Sequence, residues 1–256
     1  MKIASWNVNS VKARLQHVLD WLGTAAPDVL ALQEIKQVTE DFPIEAFAEA
    51  GYTAIASGQR SYNGVATLAR GALLDAVTDI DGFPDPQRRV LATTYDGVRV
   101  VNVYVPNGQS LASDKYEYKL EWLAATRDYL AAELRQHERV VVLGDFNIAP
   151  DDRDVYDPVA YGEDIHTSGP ERAGLRAIMD LGLIDVFRRF EQPEKTFSWW
   201  DYRRGRFRRN AGLRIDLILA SEPLAARCTA SCIDRAPRTW DRPSDHAPIV
   251  AEFAIP

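Results

Sequence analysis

Long hydrophobic runs are missing from this 256-residue chain. Its apolar stretches stop far short of the roughly 18 consecutive residues that a membrane-spanning helix needs. The opening Met1-Lys2-Ile3-Ala4-Ser5-Trp6-Asn7-Val8-Asn9 lacks the longer apolar core of a secretory leader and reads as a strand. Cysteine is nearly absent, with Cys228 and Cys232 the only two. Their spacing would allow a redox pair or half a metal site, but two small, half-buried thiols in a reducing compartment fit better. A cytoplasmic location is the expectation. Repeats, low-complexity tracts and linkers are also missing, and the 46% of hydrophobic residues is enough to fill one sizeable core. A single domain over 1–256 is expected.

An excess of positive charge is lacking too. The net charge is −7, which at first sight argues against an anionic partner. Its distribution argues the other way. Residues 188–214 hold nine basic and three acidic side chains, a local net of +6, which leaves −13 on the rest. Phe197, Trp199, Trp200, Tyr202 and Phe207 are interleaved with Arg203, Arg204, Arg206, Arg208 and Arg209. Arginines can neutralise backbone phosphates while aromatics stack or wedge against sugars and bases. A solvated loop is the plainer reading of such a run taken alone.

What is present alternates strands with helices. Strands are expected at 3–9, 29–34, 64–69, 98–105, 140–146, 215–220 and 249–253, each from an apolar, often β-branched run. Leu15, Val18, Leu19 and Leu22 follow the spacing of a one-faced helix. A longer helix is expected over 115–136, and Ser168-Gly169-Pro170-Glu171 announces a third with a capping box. The polar stretch 151–168 is a long loop, and loops of that length in compact domains are usually functional.

The chemistry gathers at strand ends. Asp145 and Asn147 close the run Val140-Val141-Val142-Leu143, and the strand period of two would point them to one side. Glu34 closes Val29-Leu30-Ala31-Leu32-Gln33, and Asp245-His246 precede Ile249-Val250-Ala251. With Asn7, Tyr104 and Asp216 the set draws on six segments. Each residue has a dull alternative: Asn7 capping a turn, Tyr104 a core aromatic, Asp216 paired with Arg214. Together they form carboxylates and amides beside an imidazole, which suits Mg²⁺ or Mn²⁺ and attack on phosphate.

The motifs Trp6-Asn7-Val8-Asn9, Leu32-Gln33-Glu34, Tyr62-Asn63-Gly64-Val65-Ala66, Gln87-Arg88-Arg89, Asn102-Val103-Tyr104, Gly144-Asp145-Phe146-Asn147, Gly212-Leu213-Arg214-Ile215-Asp216 and Ser244-Asp245-His246-Ala247-Pro248, in this order, resemble the exonuclease III family of DNA-repair nucleases. The resemblance implies a four-layer α/β/β/α sandwich of the DNase I-like type, two mixed β-sheets packed face to face with helices outside. It implies Mg²⁺- or Mn²⁺-dependent hydrolysis of phosphate esters in duplex DNA at 3′-blocked ends, nicks or abasic sites, by a monomer near the nucleoid.

The resemblance also implies roles. Glu34 would be the principal metal ligand, with Asn7, Asp145, Asn147 and Asp245 around the same ion or ions. Asp145 would position or deprotonate the attacking water and Asn147 would orient it. His246, held by Asp216, would contact the scissile phosphate, with Tyr104 beside the leaving group. Arg88, Asn107, Arg203, Arg204, Arg206, Arg208, Arg209 and Arg214 would contact DNA. Trp199, Leu213 and Ile215 would line a pocket for a flipped-out baseless sugar. His166, in the long loop, is either a solvent-exposed histidine or an imidazole at the pocket mouth that hinders internal abasic sugars and leaves a frayed 3′ end accessible. The alternatives are an inositol- or lipid-phosphate phosphatase of the same fold, or a non-catalytic nucleic-acid-binding member.

Overall fold

The computed structural model describes residues 1–255. Its strands are β1 (Lys2–Asn7), β2 (Val29–Gln33), β3 (Thr53–Ser57), β4 (Val65–Ala69), β5 (Leu74–Val77), β6 (Val90–Tyr95), β7 (Val98–Tyr104), β8 (Val140–Asp145), β9 (Leu183–Asp185), β10 (Asp216–Ser221), β11 (Cys228–Ile233) and β12 (Ile249–Phe253). The helices are α1 (Val11–Ala25), α2 (Ile44–Glu49), α3 (Asp114–Gln136), α4 (Pro158–Tyr161), α5 (Gly169–Met179) and α6 (Glu222–Ala225). One sheet runs β11-β12-β1-β2-β4-β3 and the other β5-β6-β7-β8-β10-β9, both mixed in direction.

Burial on both faces explains the continuous apolar strands. In β8, Val141 and Leu143 point between the sheets, where Ile3, Val29, Ala31, Ile218 and Ile249 meet them. Val140 and Val142 point outward against Trp122, Leu123 and Leu130 of α3 and Leu175 and Ile178 of α5. On the other side Trp6, Leu30 and Leu68 pack under Val18, Trp21 and Leu22 of α1 and Phe47 of α2. The layers are therefore helix, sheet, sheet, helix, as expected for a DNase I-like sandwich.

A polar tie crosses the dry inter-sheet core. Ser5 Oγ accepts from Gln33 Nε2 at 3.0 Å, Gln33 Nε2 also donates to Asn102 Oδ1 at 2.8 Å, and Asn102 Nδ2 donates to the carbonyls of Leu32 and Ala66. It joins β1 and β2 of one sheet to β7 of the other just below the ends that carry Asn7 and Tyr104, fixing one sheet's register on the other.

The expected strands lie within one or two residues of those observed. β3, β5, β6, β9 and β11 come in addition, as does α2. The loop 151–168 is more ordered than a polar loop: it contains a 3-10 turn at Asp152–Asp154 and α4, and Val155 bridges to Leu213. The capping box is realised, Ser168 Oγ accepting from Glu171 N and Glu171 Oε2 from Ser168 N. Cys228 and Cys232 are free thiols on edge strand β11.

Candidate active site

Sheet register places the first groups. Asp145 pairs laterally with Tyr104 of parallel β7 and with Asp216 of antiparallel β10, so three adjacent strands end side by side. From the other sheet, Asn7 ends β1 and Glu34 follows β2. The Ser244–His246 segment is pinned there by Ser244 Oγ donating to Asn7 O at 2.7 Å and by Trp6 Nε1 donating to His246 O at 3.2 Å.

Asn147 arrives differently from the sequence expectation. β8 stops at Asp145, and Asn147 lies beyond it with a left-handed backbone, φ +51°. Its N–H donates to Asp145 Oδ1 at 2.9 Å, and this Asx turn, not strand alternation, brings the side chains together. Asn9, Glu34 and His166 also have positive φ. Each such non-glycine residue costs on the order of 1 kcal/mol, and strain of this kind concentrates at functional sites.

Glu34, Asp145 and His246 offer ligand atoms that all lie within 4.8 Å of one another. Asn7 Nδ2 donates to Glu34 Oε1 at 2.9 Å and to Asp145 Oδ2 at 2.8 Å, while its Oδ1 accepts from Asn9 N. The amide thus holds the two carboxylates together and presents hydrogens to them. Asp245 stands outside this trio, with Oδ1 accepting from Asn9 Nδ2 and Oδ2 from Trp199 Nε1, each at 3.0 Å. Asn147 Nδ2 donates to Val105 O at 3.0 Å and approaches Asp145 Oδ2 at 3.3 Å.

The electrostatics follow from burial. Desolvation pushes Asp145 up to about 7, with Asp216 and Glu34 adding repulsion and His246 opposing it. Burial alone would depress His246, but Asp216 and Asp145 override it and raise the imidazole to about 10. His246 Nδ1 donates to Asp216 Oδ2 at 2.9 Å, and Nε2 lies 3.7 Å from Asp145 Oδ2. The ring is an oriented imidazolium. Burial, with Glu34 and Asp145 nearby, keeps the Tyr104 phenol protonated well above its ordinary range.

The donor set fits a divalent cation. Two hard carboxylates converge in a buried place, one of them left short of positive charge, and the Lys36 ammonium stands 2.8 Å from Glu34 Oε2.

Other expectations need correction. Arg214 cannot contact DNA. It is fully buried, donating from Nε to Asp154 Oδ1 at 2.6 Å and pairing through Nη2 with Asp185 at 2.7 Å. The alternative pairing of Asp216 with Arg214 is likewise replaced by the bond to His246. Phe197 and Trp200 are core residues packed with Ala247, so they offer no stacking surface. Arg203 and Arg88 form surface ion pairs with Asp201 and Asp79, and Arg204, Arg208 and Arg209 are exposed, so all five lie on the surface as expected of DNA-facing side chains. Arg206 is half-buried, its Nη1 3.3 Å from Tyr161 Oη.

Trp199, Leu213 and Ile215 do come together, in one cluster with Ala149, Val155 and Tyr161, and Leu213 and Ile215 have essentially no exposed surface. His166 is buried, not a solvent-exposed loop residue. Its ring lies 6.0 Å from that of Trp199; Nδ1 donates to Asn147 O at 2.7 Å and Nε2 faces Asn107 Nδ2 at 3.5 Å. Burial and the Lys119 charge lower it to about 4, so it is a neutral imidazole. Asn107 in turn donates to Asn147 Oδ1 at 3.2 Å.

Sequence reasoning missed Lys36, Asn9, Ser198 and Lys119. Ser198 Oγ accepts from the N–H groups of Ile215 and Asp216, each at 3.1 Å, and so anchors the start of β10. Lys119 carried a signal: it sits three residues after Tyr116 and four before Leu123, on the buried face of α3.

Comparison with known proteins agrees with this geometry. Exodeoxyribonuclease III of Haemophilus influenzae is 36% identical over 99% of this chain and all of its own length. Among solved structures, a Neisseria 3′ phosphatase bound to a product DNA hairpin superposes with a TM-score of 0.98 at 44% identity, covering 100% of both chains. An AP endonuclease from Archaeoglobus fulgidus gives 0.96 at 36% identity, again over 100% of both. Residues 4–246 match the Endonuclease/Exonuclease/phosphatase family, and with the strand-end site described above the chain belongs to that family.

Proposed function

We propose that this protein is a DNA-repair phosphodiesterase that hydrolyses phosphate esters at the 3′ ends of duplex DNA, with Mg²⁺ or Mn²⁺ held by Glu34 and Asp145. The observation that carries this reading is the Asp216–His246–Asp145 chain beside Glu34, in a fold shared over its whole length with the Neisseria 3′ phosphatase. When bound, a divalent cation there polarises the phosphoryl oxygen as a Lewis acid.

The chain's own residues do the rest. Asp145, a buried carboxylate, positions the attacking water and takes its proton. Asn147 orients that water with its side-chain amide. His246, kept cationic by Asp216, donates from Nε2 to a phosphoryl oxygen and stabilises charge that grows in the transition state. Tyr104, kept protonated by its burial, donates to the departing deoxyribose oxygen as the phosphorus–oxygen bond breaks.

His166 and the closed Trp199–Leu213–Ile215 cluster support 3′-end processing over internal abasic incision. An extrahelical sugar would have to displace side chains packed in that cluster, which also holds Val155. The test compares labelled duplexes bearing an internal abasic analogue, a 3′-phosphate or a recessed 3′-hydroxyl under Mg²⁺. The 3′-phosphate should turn over fastest, and His166→Gly should raise incision relative to phosphate removal by about tenfold or more. Equal change in both activities would refute the gating role, and full activity in EDTA would refute the metal mechanism.

A further inference from the structure

The helix side of β8 holds an ion pair with no part in the chemistry just described. Lys119 of α3 and Glu171 of α5 are both fully buried and bonded to each other. Such a pair is a weak device for stability, because desolvating each ion costs several kcal/mol and packed apolar residues commonly serve as well.

Its remaining bonds point to the active site. The Lys119 ammonium has three protons, and besides Glu171 it donates to Asn147 O at 2.8 Å and Asn107 O at 3.2 Å. These two residues lead the loops that follow β8 and β7, and their side chains are joined by the bond from Asn107 Nδ2 to Asn147 Oδ1. Asn147 has the left-handed backbone described above, so something must hold its carbonyl where an ordinary φ would not. His166 Nδ1 shares that carbonyl, and His166 N donates to Glu171 Oε1 at 3.1 Å. At Gly108, φ +92°, a Cβ would lie 2.7 Å from Ile165 Cδ1 and 3.2 Å from Lys119 Cδ, so the Asn107 loop rests directly on the lysine stem.

We propose that Lys119, charge-balanced by Glu171, is a positioning residue for the hydrolysis, holding Asn147 in its left-handed turn through the carbonyls of Asn147 and Asn107. The proposal rests on the hydrolase reading above, in which the Asn147 amide orients the reacting water. Without the ammonium, Asn147 relaxes and its amide leaves the 3.3 Å approach to Asp145. Turnover then falls while affinity for DNA stays, since the exposed arginines of 204–209 are untouched.

Lys119→Met alone would strand the Glu171 carboxylate, so the working variant is Lys119→Met/Glu171→Met, which removes both charges. Lys119→Gln/Glu171→Gln, which keeps neutral donors and leaves no stranded charge, is a second variant with the same expected split at smaller size. On a 3′-phosphate duplex with Mg²⁺, kcat of the double variant should fall roughly 100-fold, as an ångström-scale misplacement does, with KM within about twofold. In an Asn147→Ala background the same change should cost less than about threefold, because its target is already gone. Wild-type kcat in folded variants, or a full multiplicative loss in the Asn147→Ala background, would overturn the proposal. Wild-type protein inactive on this duplex would instead defeat the hydrolase reading, a result visible before any variant is made.

Discussion

Replacing Asp216 by asparagine isolates the group that makes His246 a cation. The imidazole stands at about 10 against an ordinary 6.5, and at ~1.4 kcal/mol per pH unit the two carboxylates beat desolvation by roughly 5 kcal/mol. Asp216 is fully buried and reaches Nδ1 with both oxygens, at 2.9 and 3.1 Å, so it supplies the larger share. An opposite charge at this range is worth about 1–3 pH units, which brings His246 of Asp216→Asn down to roughly 7–9. Because the folded value is raised, the stability this pair contributes is present below the unfolded pKa and is lost as pH rises through 10 in the wild type. In the variant that loss moves down by the same roughly 1–3 pH units. At about pH 9 half or more of His246 is then neutral and the ring has lost its charged anchor, so kcat on a 3′-phosphate duplex should fall on the order of 100-fold. NMR of the imidazole nitrogens follows the same residue directly. The protein has four histidines, and among them His166 at about 4 and His246 at about 10 should stand apart in opposite directions. A His246 that still titrates near 10 in the variant, or kcat within threefold of wild type, would refute the reasoning.

Asp154→Ala leaves the buried Arg214 guanidinium with Asp185 alone and should cost about 3–5 kcal/mol in urea unfolding, against under 1 kcal/mol if the site is permissive. Metal affinity should strengthen with pH, since Asp145 must lose its proton to ligate. Calorimetry should find Kd for Mn²⁺ improving by up to about tenfold per pH unit below 7 and levelling above it, and a flat profile would exclude Asp145 as a ligand. Replacing Arg204, Arg208 and Arg209 by alanine should lower the slope of log K against log salt by about 0.9 for each phosphate no longer neutralised, whereas an unchanged slope would make them solvated surface.

The catalytic groups were legible because the strands that carry them, β1, β2, β7, β8 and β10, bury both faces, so a carboxylate or amide bounding an apolar run must lie at the sheet's rim. Glu34, Asp145 and Asp216 are all of this kind. β5 was illegible for the opposite reason: every residue in it is exposed, so no hydrophobic pattern marks it. Arg214 misled because it closes the basic segment 188–214, while its partners in space are Asp154 and Asp185, 60 and 29 residues upstream by numbering. Asn147 was placed on the right side by the wrong period, since a strand and an Asx turn both return a side chain to the same face. The spacing of Lys119 from Tyr116 and Leu123 put it on the buried face of α3, but its partner Glu171 comes from α5, 52 residues on, and nothing local announces it.

The two ends of the chain meet in one sheet: β1 pairs with β12 from Lys2↔Glu252 to Ser5↔Ile249, and the terminal ammonium donates to Phe253 O at 2.8 Å. Asn7 therefore leaves the ribosome well before Asp245 and His246. No nascent or prematurely stopped chain ending before residue 246 carries the imidazolium, and one ending before Ile249 leaves β1 paired with β2 alone. The order of synthesis thus supplies the metal-side carboxylates first and the phosphate-facing imidazole last.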